Sequence, residues 1–298
     1  MGQKYKAKYH LPGLFEFYEF YKVFLPVFYK NRDYFYDFCC IESIYGAPSD
    51  CLWGGGRIGF GDNNQDDVYA LMREYDISAR LTFSNSLIRD CHLSDEKCNS
   101  LCELFHSNKN GIIIYSDFLL EYIKKNYPEF YFVSSTTKVI TDFGEFVKEL
   151  NREEFSYVVP DFRLNKEYER LNKLMDAQKE KTEFLINECC SFSCNARKAC
   201  YENVSRKALD EDVPDHICVS PDAKEGYVFS KAMKNKGFIS IADIKETYLP
   251  MGFDNFKIEG RSLGSALLLE FILYYMTKPE YQLNVREKIY LSNTLDLF

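Results

Sequence analysis

The sequence predicts an α/β protein built on a TIM-like (β/α)8 barrel. From residue 41 onward, short β-rich runs alternate with amphipathic helical stretches at intervals of roughly 20 to 40 residues, about the size of one βα unit. This alternation indicates a parallel sheet, and the 298 residues exceed the ~250 that one barrel needs. A doubly wound open sheet is the alternative topology. No repeat or flexible linker divides the sequence, so we expect a single domain over residues 1–298.

The first part of the chain, residues 1–38, is expected to be a helical extension of the barrel. Apolar and aromatic residues recur there at helical spacing: Leu14, Phe17, Tyr18, Tyr21 and Leu25. Pro26 should end or kink this helix, because proline lacks the amide hydrogen that a helix interior needs. Large exposed aromatic patches are rare on monomers, so this face is expected to pack on the core.

The region that follows contains seven segments with the composition of strands and four amphipathic segments typical of helices. The predicted strands are 41–45, 79–83, 111–115, 130–134, 156–159, 182–186 and 256–258. The predicted helices are 66–75, 95–106, 117–126 and 142–151. The eighth strand is either 237–241 or an irregular segment. These elements place the barrel at residues 39–276 and a C-terminal tail at 277–298.

Composition and charge limit the class of protein. Hydrophobic residues make up 46% and charged residues 28% of the chain, which excludes disordered and collagen-like proteins. No apolar run approaches the ~18 residues of a membrane helix, and the first residues show no apolar signal core. We therefore expect a cytoplasmic protein without membrane contact. The net charge of −8 creates no global basic field for nucleic acid.

Cysteines are concentrated in a loop-like insert of the barrel. Five of the eleven lie between residues 189 and 218, in the longest stretch without a predicted strand. Four thiolates suit Zn²⁺ or an iron–sulfur cluster. Zinc sites usually pair cysteines as CxxC, whereas three, five and seventeen residues separate Cys190, Cys194, Cys200 and Cys218. This spacing favours a cluster, and burial as small hydrophobic side chains is the structural alternative.

Charged residues that follow the predicted strands are the candidate site residues, because barrel enzymes hold their sites at the C-terminal ends of the strands. The candidates for proton transfer are Asp161, Glu188 and Glu259, and those for binding an anionic substrate group are Arg57, Arg163, Arg197 and Arg261. Converging strands should bring most of these residues and Cys190 into one cavity. Few residues could support conventional hydrolase chemistry, because a Ser-His-Asp triad needs a histidine and the chain contains only four.

Three motifs resemble those of the collagenase-like peptidase family thirty-two, a peptidase family of unassigned mechanism. Residues 256–261, Phe-Lys-Ile-Glu-Gly-Arg, resemble its KIEGR signature, and residues 53–57, Trp-Gly-Gly-Gly-Arg, are similar to its WNGGR loop. The segment 187–197 is similar to the cysteine segment of its short, single-domain branch. The resemblance covers roughly residues 9–276, with the motifs in matching order.

This resemblance implies a TIM-like barrel that carries a 4Fe–4S cluster, and Zn²⁺ is the alternative metal. It implies Cys190, Cys194 and Cys218 as ligands and Cys200 as the fourth. The alternatives for the fourth ligand are Cys51, Cys39 and Cys189.

The family includes proteins for oxygen-independent hydroxylation of ubiquinone precursors and of RNA bases. The resemblance therefore favours an iron–sulfur hydroxylase or a related redox enzyme. A peptidase-like hydrolase is the second hypothesis. The third is a non-catalytic binding protein in which the metal only holds a long loop in place. The expected partners are a small-molecule or protein-bound substrate, with RNA as the second choice, and an oxygen or electron donor.

Overall fold

The computed structural model describes residues 6–55, 63–220 and 223–294, and within them eight parallel strands form one sheet. The strands are β1 (Ala7–Pro12), β2 (Cys39–Gly46), β3 (Ser78–Phe83), β4 (Gly111–Ile114), β5 (Tyr131–Ser134), β6 (Phe155–Val158), β7 (Glu183–Leu185) and β8 (Asn255–Lys257). Their order is β6-β5-β4-β3-β2-β1-β8-β7. A parallel bridge between Val158 and Thr182 joins the two edges of the sheet. The sheet is therefore a nearly closed (β/α)8 barrel, which confirms the predicted fold class.

The seven strands predicted from the sequence are all present, each within two residues of its expected ends. Of the two alternatives left open for residues 237–241, the structure shows the irregular segment, because β7 pairs directly with β8 and leaves no position between them. The strand that the sequence pattern does not predict is β1, which pairs with β2 on one side and β8 on the other. The barrel therefore begins at Ala7, which corrects both the helical extension over 1–38 and the barrel start at residue 39.

Helices cover the outside of the barrel. In the described segments they are α1 (Tyr18–Lys30), α2 (Gln65–Glu74), α3 (Glu96–Phe105), α4 (Asp117–Asn126), α5 (Phe143–Leu150), α6 (Tyr168–Leu171), α7 (Asp176–Lys181), α8 (Arg197–Ala208), α9 (Phe229–Ala232), α10 (Ile241–Asp243), α11 (Ser265–Tyr275) and α12 (Gln282–Thr294). Short 3₁₀ turns lie at Arg32–Tyr34, Asp90–His92, Thr136–Lys138, Phe162–Leu164, Ala223–Glu225 and Pro279–Tyr281, and a π turn lies at Ile244–Tyr248. No helix among these is long and apolar enough to cross a membrane.

Side-chain caps explain why the predicted helices begin where they do. The side chains of Asn64, Asp95, Ser116 and Asp142 accept hydrogen bonds from the first amides of α2, α3, α4 and α5, as N-cap residues do. Each of these four helices lies within one residue of its predicted ends. Helix α1 continues for four residues beyond Pro26, so this proline does not end it. Its inner face is buried, as the aromatic spacing predicts.

Candidate functional site

A small cavity of ≈ 60 Å³ lies at the C-terminal mouth of the barrel. Strands β2, β3, β4, β7 and β8, the turn after β5 and helix α8 contribute to it. The lining residues are Tyr45, Thr82, Ser84, Ile113, Ser135, Thr136, Thr137, Leu185, Tyr201, Lys257, Glu259 and Arg261. We call this space the mouth cavity. It lies where the converging strands of a barrel place a binding site.

Two predicted site residues, Glu259 and Arg261, follow β8 and line the mouth cavity. The Asn187 side chain holds this segment in place: its Oδ1 accepts from the Glu259 amide at 2.7 Å, and its Nδ2 donates to the Glu259 carbonyl at 3.0 Å. Arg261 Nη2 donates to the Gly55 carbonyl at 3.1 Å, which ties the loop after β2 to the end of β8. Arg57, also predicted to bind substrate, lies outside the described residues.

Four more predicted site residues form a buried ion network. Asp161 Oδ1 accepts from Arg163 Nε at 2.6 Å, and Asp161 Oδ2 accepts from Arg197 Nη1 at 2.6 Å. Arg197 Nη2 donates to Glu188 and also to the Tyr201 hydroxyl, the latter at 2.9 Å. Burial opposes the charge of Arg197, but Glu188 beside it raises the pKa of Arg197 well above its usual value. Arg197 therefore holds two carboxylates together.

A second cavity, which we call the cysteine cavity, has a volume of ≈ 680 Å³. Four cysteines of the 189–218 segment line it: Cys189, Cys190, Cys194 and Cys218. The Sγ atoms of Cys189 and Cys190 and a carboxylate oxygen of Glu188 lie within 4.8 Å of one another. Three lysines, Lys231, Lys234 and Lys236, lie at the same cavity. Such a soft donor set suits Zn²⁺ or an iron–sulfur cluster.

The candidates for a fourth ligand lie in different places. Cys200 is on α8 and is not among the described residues that line the cysteine cavity. Cys39 is the first residue of β2, at the opposite end of the barrel from the mouth. Cys51 is buried against Cys98, with 3.4 Å between their Sγ atoms. Among the described residues, Cys189 is therefore the candidate that shares a cavity with the other three predicted ligands.

The ion network connects the two cavities. Tyr201 lines the mouth cavity and accepts a hydrogen bond from Arg197, which also binds Glu188. Glu188 Oε1 in turn accepts from the backbone amides of Cys189 and Cys190 at 2.9 and 3.0 Å. The single cavity expected from the sequence is thus divided in two, and the network of Asp161, Arg163, Glu188 and Arg197 joins the parts.

The barrel interior below the mouth cavity holds a second group of charges, absent from the predicted site. This interior ion cluster consists of His10, Arg80, Glu183 and Lys257, all of them buried. Glu183 Oε2 accepts from Arg80 Nη1 at 2.5 Å and Glu183 Oε1 from Lys257 Nζ at 3.1 Å. His10 Nε2 lies 3.5 Å from Glu183 Oε2. The signal for this cluster is the alternation of polar residues, such as Arg80 and Thr82, within predicted strands, because alternate residues of a strand share one face.

Burial and mutual contact set the charges in the interior ion cluster. Burial lowers the pKa of His10 well below its usual value, and Arg80 adds to this effect. Burial alone would raise the pKa of Glu183, but Arg80, His10 and Lys257 together hold it far below its usual value. Burial lowers the pKa of Lys257 to about 8, although Glu183 opposes the shift. The cluster therefore contains a firmly ionised carboxylate and a readily deprotonated lysine.

Residues 260–264, Gly-Arg-Ser-Leu-Gly, match the GxSxG pattern of serine hydrolases, and its central Ser262 is not part of the predicted site. They join β8 to α11, and Ser262 has a φ of 62°, which is the strand–turn–helix setting of a nucleophile elbow. The Ser262 hydroxyl donates to the Arg261 carbonyl at 2.6 Å, and the Leu263 amide donates to the Gly260 carbonyl at 3.1 Å. In the part of the chain that the structure describes, these contacts provide neither a general base nor an available oxyanion donor.

Comparison with known proteins identifies a shared fold. No model of a known protein family matches the sequence, and no curated protein matches it. Among solved structures, the U32 peptidase Mk0906 is similar with a TM-score of 0.51, over 87% of this chain and 94% of that chain. The two sequences are 12% identical, so the similarity is one of fold. U32 denotes the family thirty-two that the sequence motifs resemble, and this chain has a U32-peptidase-like barrel fold.

Proposed function

We propose that this chain is an iron–sulfur enzyme that hydroxylates a small molecule or protein-bound group, or modifies it by a related redox reaction. The observation that carries the proposal is the presence of four cysteines in one cavity, joined by the ion network to the mouth cavity. An RNA base is the second choice of substrate. The reaction needs an oxygen or electron donor as a further partner.

The residues of the cysteine cavity suit a 4Fe–4S cluster. Such a cluster takes four thiolates, and Cys189, Cys190, Cys194 and Cys218 would hold it. Lys234 and Lys236 at the same cavity offset part of the negative charge that four thiolates bring. The loop backbone is also fixed, since Arg163 Nη1 donates to the Cys194 carbonyl at 2.9 Å and Asn235 Nδ2 to the Cys190 carbonyl at 2.8 Å. When bound, the cluster supplies one-electron redox chemistry.

The charged residues divide into two roles in this proposal. Glu259 and Arg261 line the mouth cavity, so we assign proton transfer to Glu259 and the binding of an anionic substrate group to Arg261. Arg197 pairs with both Asp161 and Glu188 in the ion network. Their role in the proposal is to position the cysteine loop, in place of the direct catalytic and substrate-binding roles expected from the sequence.

Protein purified without oxygen is expected to be brown and to contain about four irons per chain, as a 4Fe–4S cluster requires. Replacing Cys190 or Cys194 with serine should remove most of the iron and the colour, because serine is a poor ligand for iron in such a cluster. Iron and acid-labile sulfide analysis with the visible absorption spectrum provides the measurement. The exposed Cys91 serves as the matched control, and Cys91→Ser should keep the full iron content.

The same assay tests the geometry of the fourth ligand. Cys189→Ser should lower the iron content as strongly as Cys190→Ser, whereas Cys200→Ser should leave it unchanged. Colourless anaerobic protein that holds one tight zinc ion would overturn the iron–sulfur proposal. A stronger loss from Cys200→Ser than from Cys189→Ser would keep the cluster but move its fourth ligand to α8.

A peptidase-like hydrolase is the second candidate function, favoured by the GxSxG segment at residues 260–264. An activated serine reacts covalently with a fluorophosphonate, and the adduct is located by peptide mass spectrometry. We expect no adduct at Ser262, because its hydroxyl donates to the Arg261 carbonyl. An adduct at Ser262, together with casein cleavage that Ser262→Ala abolishes, would place the hydrolase first.

A further inference from the structure

The floor of the mouth cavity combines an amine with two buried hydroxyls. Lys257, Thr82 and Ser84 line the cavity and are 4%, 3% and 2% exposed. Within the described residues, the Thr82 and Ser84 hydroxyls make no hydrogen bond, although buried hydroxyls normally have a partner. Ser135, Thr136 and Thr137 add three further hydroxyls to the wall. A ligand that carries hydroxyl groups would satisfy these side chains.

Burial favours the neutral form of Lys257, and the cations Arg80 and Arg261 add to this effect, whereas Glu183 opposes it. Glu183 on β7 accepts from Lys257 through one carboxylate oxygen and from Arg80 on β3 through the other. Two cations thus share one carboxylate, while burial keeps His10 on β1 neutral. Arg261, on the segment after β8, adds further positive charge near Lys257. Loss of the Lys257 proton brings the interior ion cluster to neutrality.

The position and surroundings of the amine suit nucleophilic chemistry. Lys257 Nζ lies 3.6 Å from the centroid of the Tyr45 ring, and both residues line the mouth cavity. Burial lowers the pKa of Lys257 to about 8, so an appreciable fraction is unprotonated near neutral pH. Buried lysines of this kind attack carbonyl carbons in enzymes that form Schiff bases.

We propose that Lys257 forms an imine with a small aldehyde or ketone that carries hydroxyl groups and binds in the mouth cavity. The neutral Nζ attacks the carbonyl carbon and forms a C–N bond, and the two amine hydrogens leave with the carbonyl oxygen as water. The volume of ≈ 60 Å³ suits a compound of roughly three or four carbons, because one water needs ~10–15 Å³ on this measure. The proposal does not depend on what the cysteine cavity binds.

Reductive trapping of the whole protein tests this imine. The probe is dihydroxyacetone, and sodium cyanoborohydride reduces the imine to a stable secondary amine that peptide mass spectrometry locates. Lys148, whose side chain is 75% exposed, serves as the internal control. At pH 8 we expect saturable labelling of Lys257 at roughly a hundred times the rate of Lys148, because about half of the Lys257 amine but well under about 1% of an ordinary lysine is unprotonated. The rate at Lys257 should level off above pH 9, while the rate at Lys148 continues to rise.

Two variants separate binding from reactivity. Lys257→Arg keeps a cation and should abolish labelling at this position. Thr82→Val keeps the shape but removes one hydroxyl, and should raise the half-saturating probe concentration several-fold without changing the pH profile. Labelling of wild-type Lys257 that is unsaturable, or no faster than that of Lys148, would overturn the proposal even where Lys257→Arg fails to fold. Iron content should not change on trapping, so this result is independent of the cluster assay.

Discussion

Replacing Glu183 with glutamine is expected to lower the free energy of unfolding by about 3–5 kcal/mol, the usual effect of breaking a buried ion pair. Glu183 is fully buried and binds both Arg80 and Lys257. A neutral amide would leave these cations in the barrel interior without the carboxylate that offsets their charge. Denaturant unfolding should show this loss, and the melting temperature should fall by about 5–8 °C.

Two further variants define the origin of that effect. Glu145→Gln removes an exposed carboxylate that pairs with Lys148 on α5, and should leave stability unchanged because surface pairs contribute little. Adding Lys257→Met to Glu183→Gln removes one of the two uncompensated cations and should recover part of the lost stability. A loss below about 1 kcal/mol for Glu183→Gln would contradict the role given to the interior ion cluster.

The interior ion cluster also predicts how stability depends on pH. The pKa values of His10 and Glu183 are lowered in the folded chain, so the unfolded chain binds more protons in acid. Stability should therefore fall as the pH drops below about 6.5 for His10 and below about 4.3 for Glu183. The pKa of Lys257 is lowered to about 8, so stability should rise with pH between about 8 and 10.4.

The alternating pattern of the sequence predicts most of the barrel, but it cannot identify which short apolar segment enters the sheet. Residues 237–241 are mostly apolar and largely buried, yet within the described segments a single backbone hydrogen bond, from the Ile239 amide to the Ile186 carbonyl, ties them to the end of β7. Ala7–Pro12 is six residues long and precedes a strongly helical aromatic run. Short apolar runs look alike whether they form strands or buried loops, and pairing partners distant in sequence decide between them.

The sequence predicts which residue types form the candidate site, but it does not predict that the site is divided into two cavities. The sequence locates Glu259 and Arg261, which line the mouth cavity, and the cysteine-rich insert, which lines the cysteine cavity. Residue spacing alone does not show where the side chains of a loop point. It therefore could not show that Cys189, and not Cys200, shares a cavity with the other three predicted ligands. It also could not show that Arg197 would bind both Asp161 and Glu188.

Replacing Arg197 with methionine should both destabilise the fold and weaken metal binding. The substitution leaves Glu188 buried without its cationic partner, whereas Asp161 keeps Arg163. Removing one partner from such a buried group of charges typically lowers the free energy of unfolding by about 3–5 kcal/mol. Glu188 also holds the amides of Cys189 and Cys190, so a displaced carboxylate would loosen the cysteine loop. Denaturant unfolding measures the first effect, and iron content after anaerobic purification measures the second.

Three further variants test whether the effect is specific to the pairing of Arg197 with Glu188. Lys198 is the next residue of α8 and is exposed, so Lys198→Met should change neither stability nor iron content. Arg197→Lys should rescue only part of both properties, because an ammonium cannot reproduce the two-sided contact of a guanidinium with Asp161 and Glu188. Adding Glu188→Met to Arg197→Met should recover stability by removing the orphaned carboxylate. The iron content should nevertheless stay low, since the amides of the cysteine loop would still lack their acceptor.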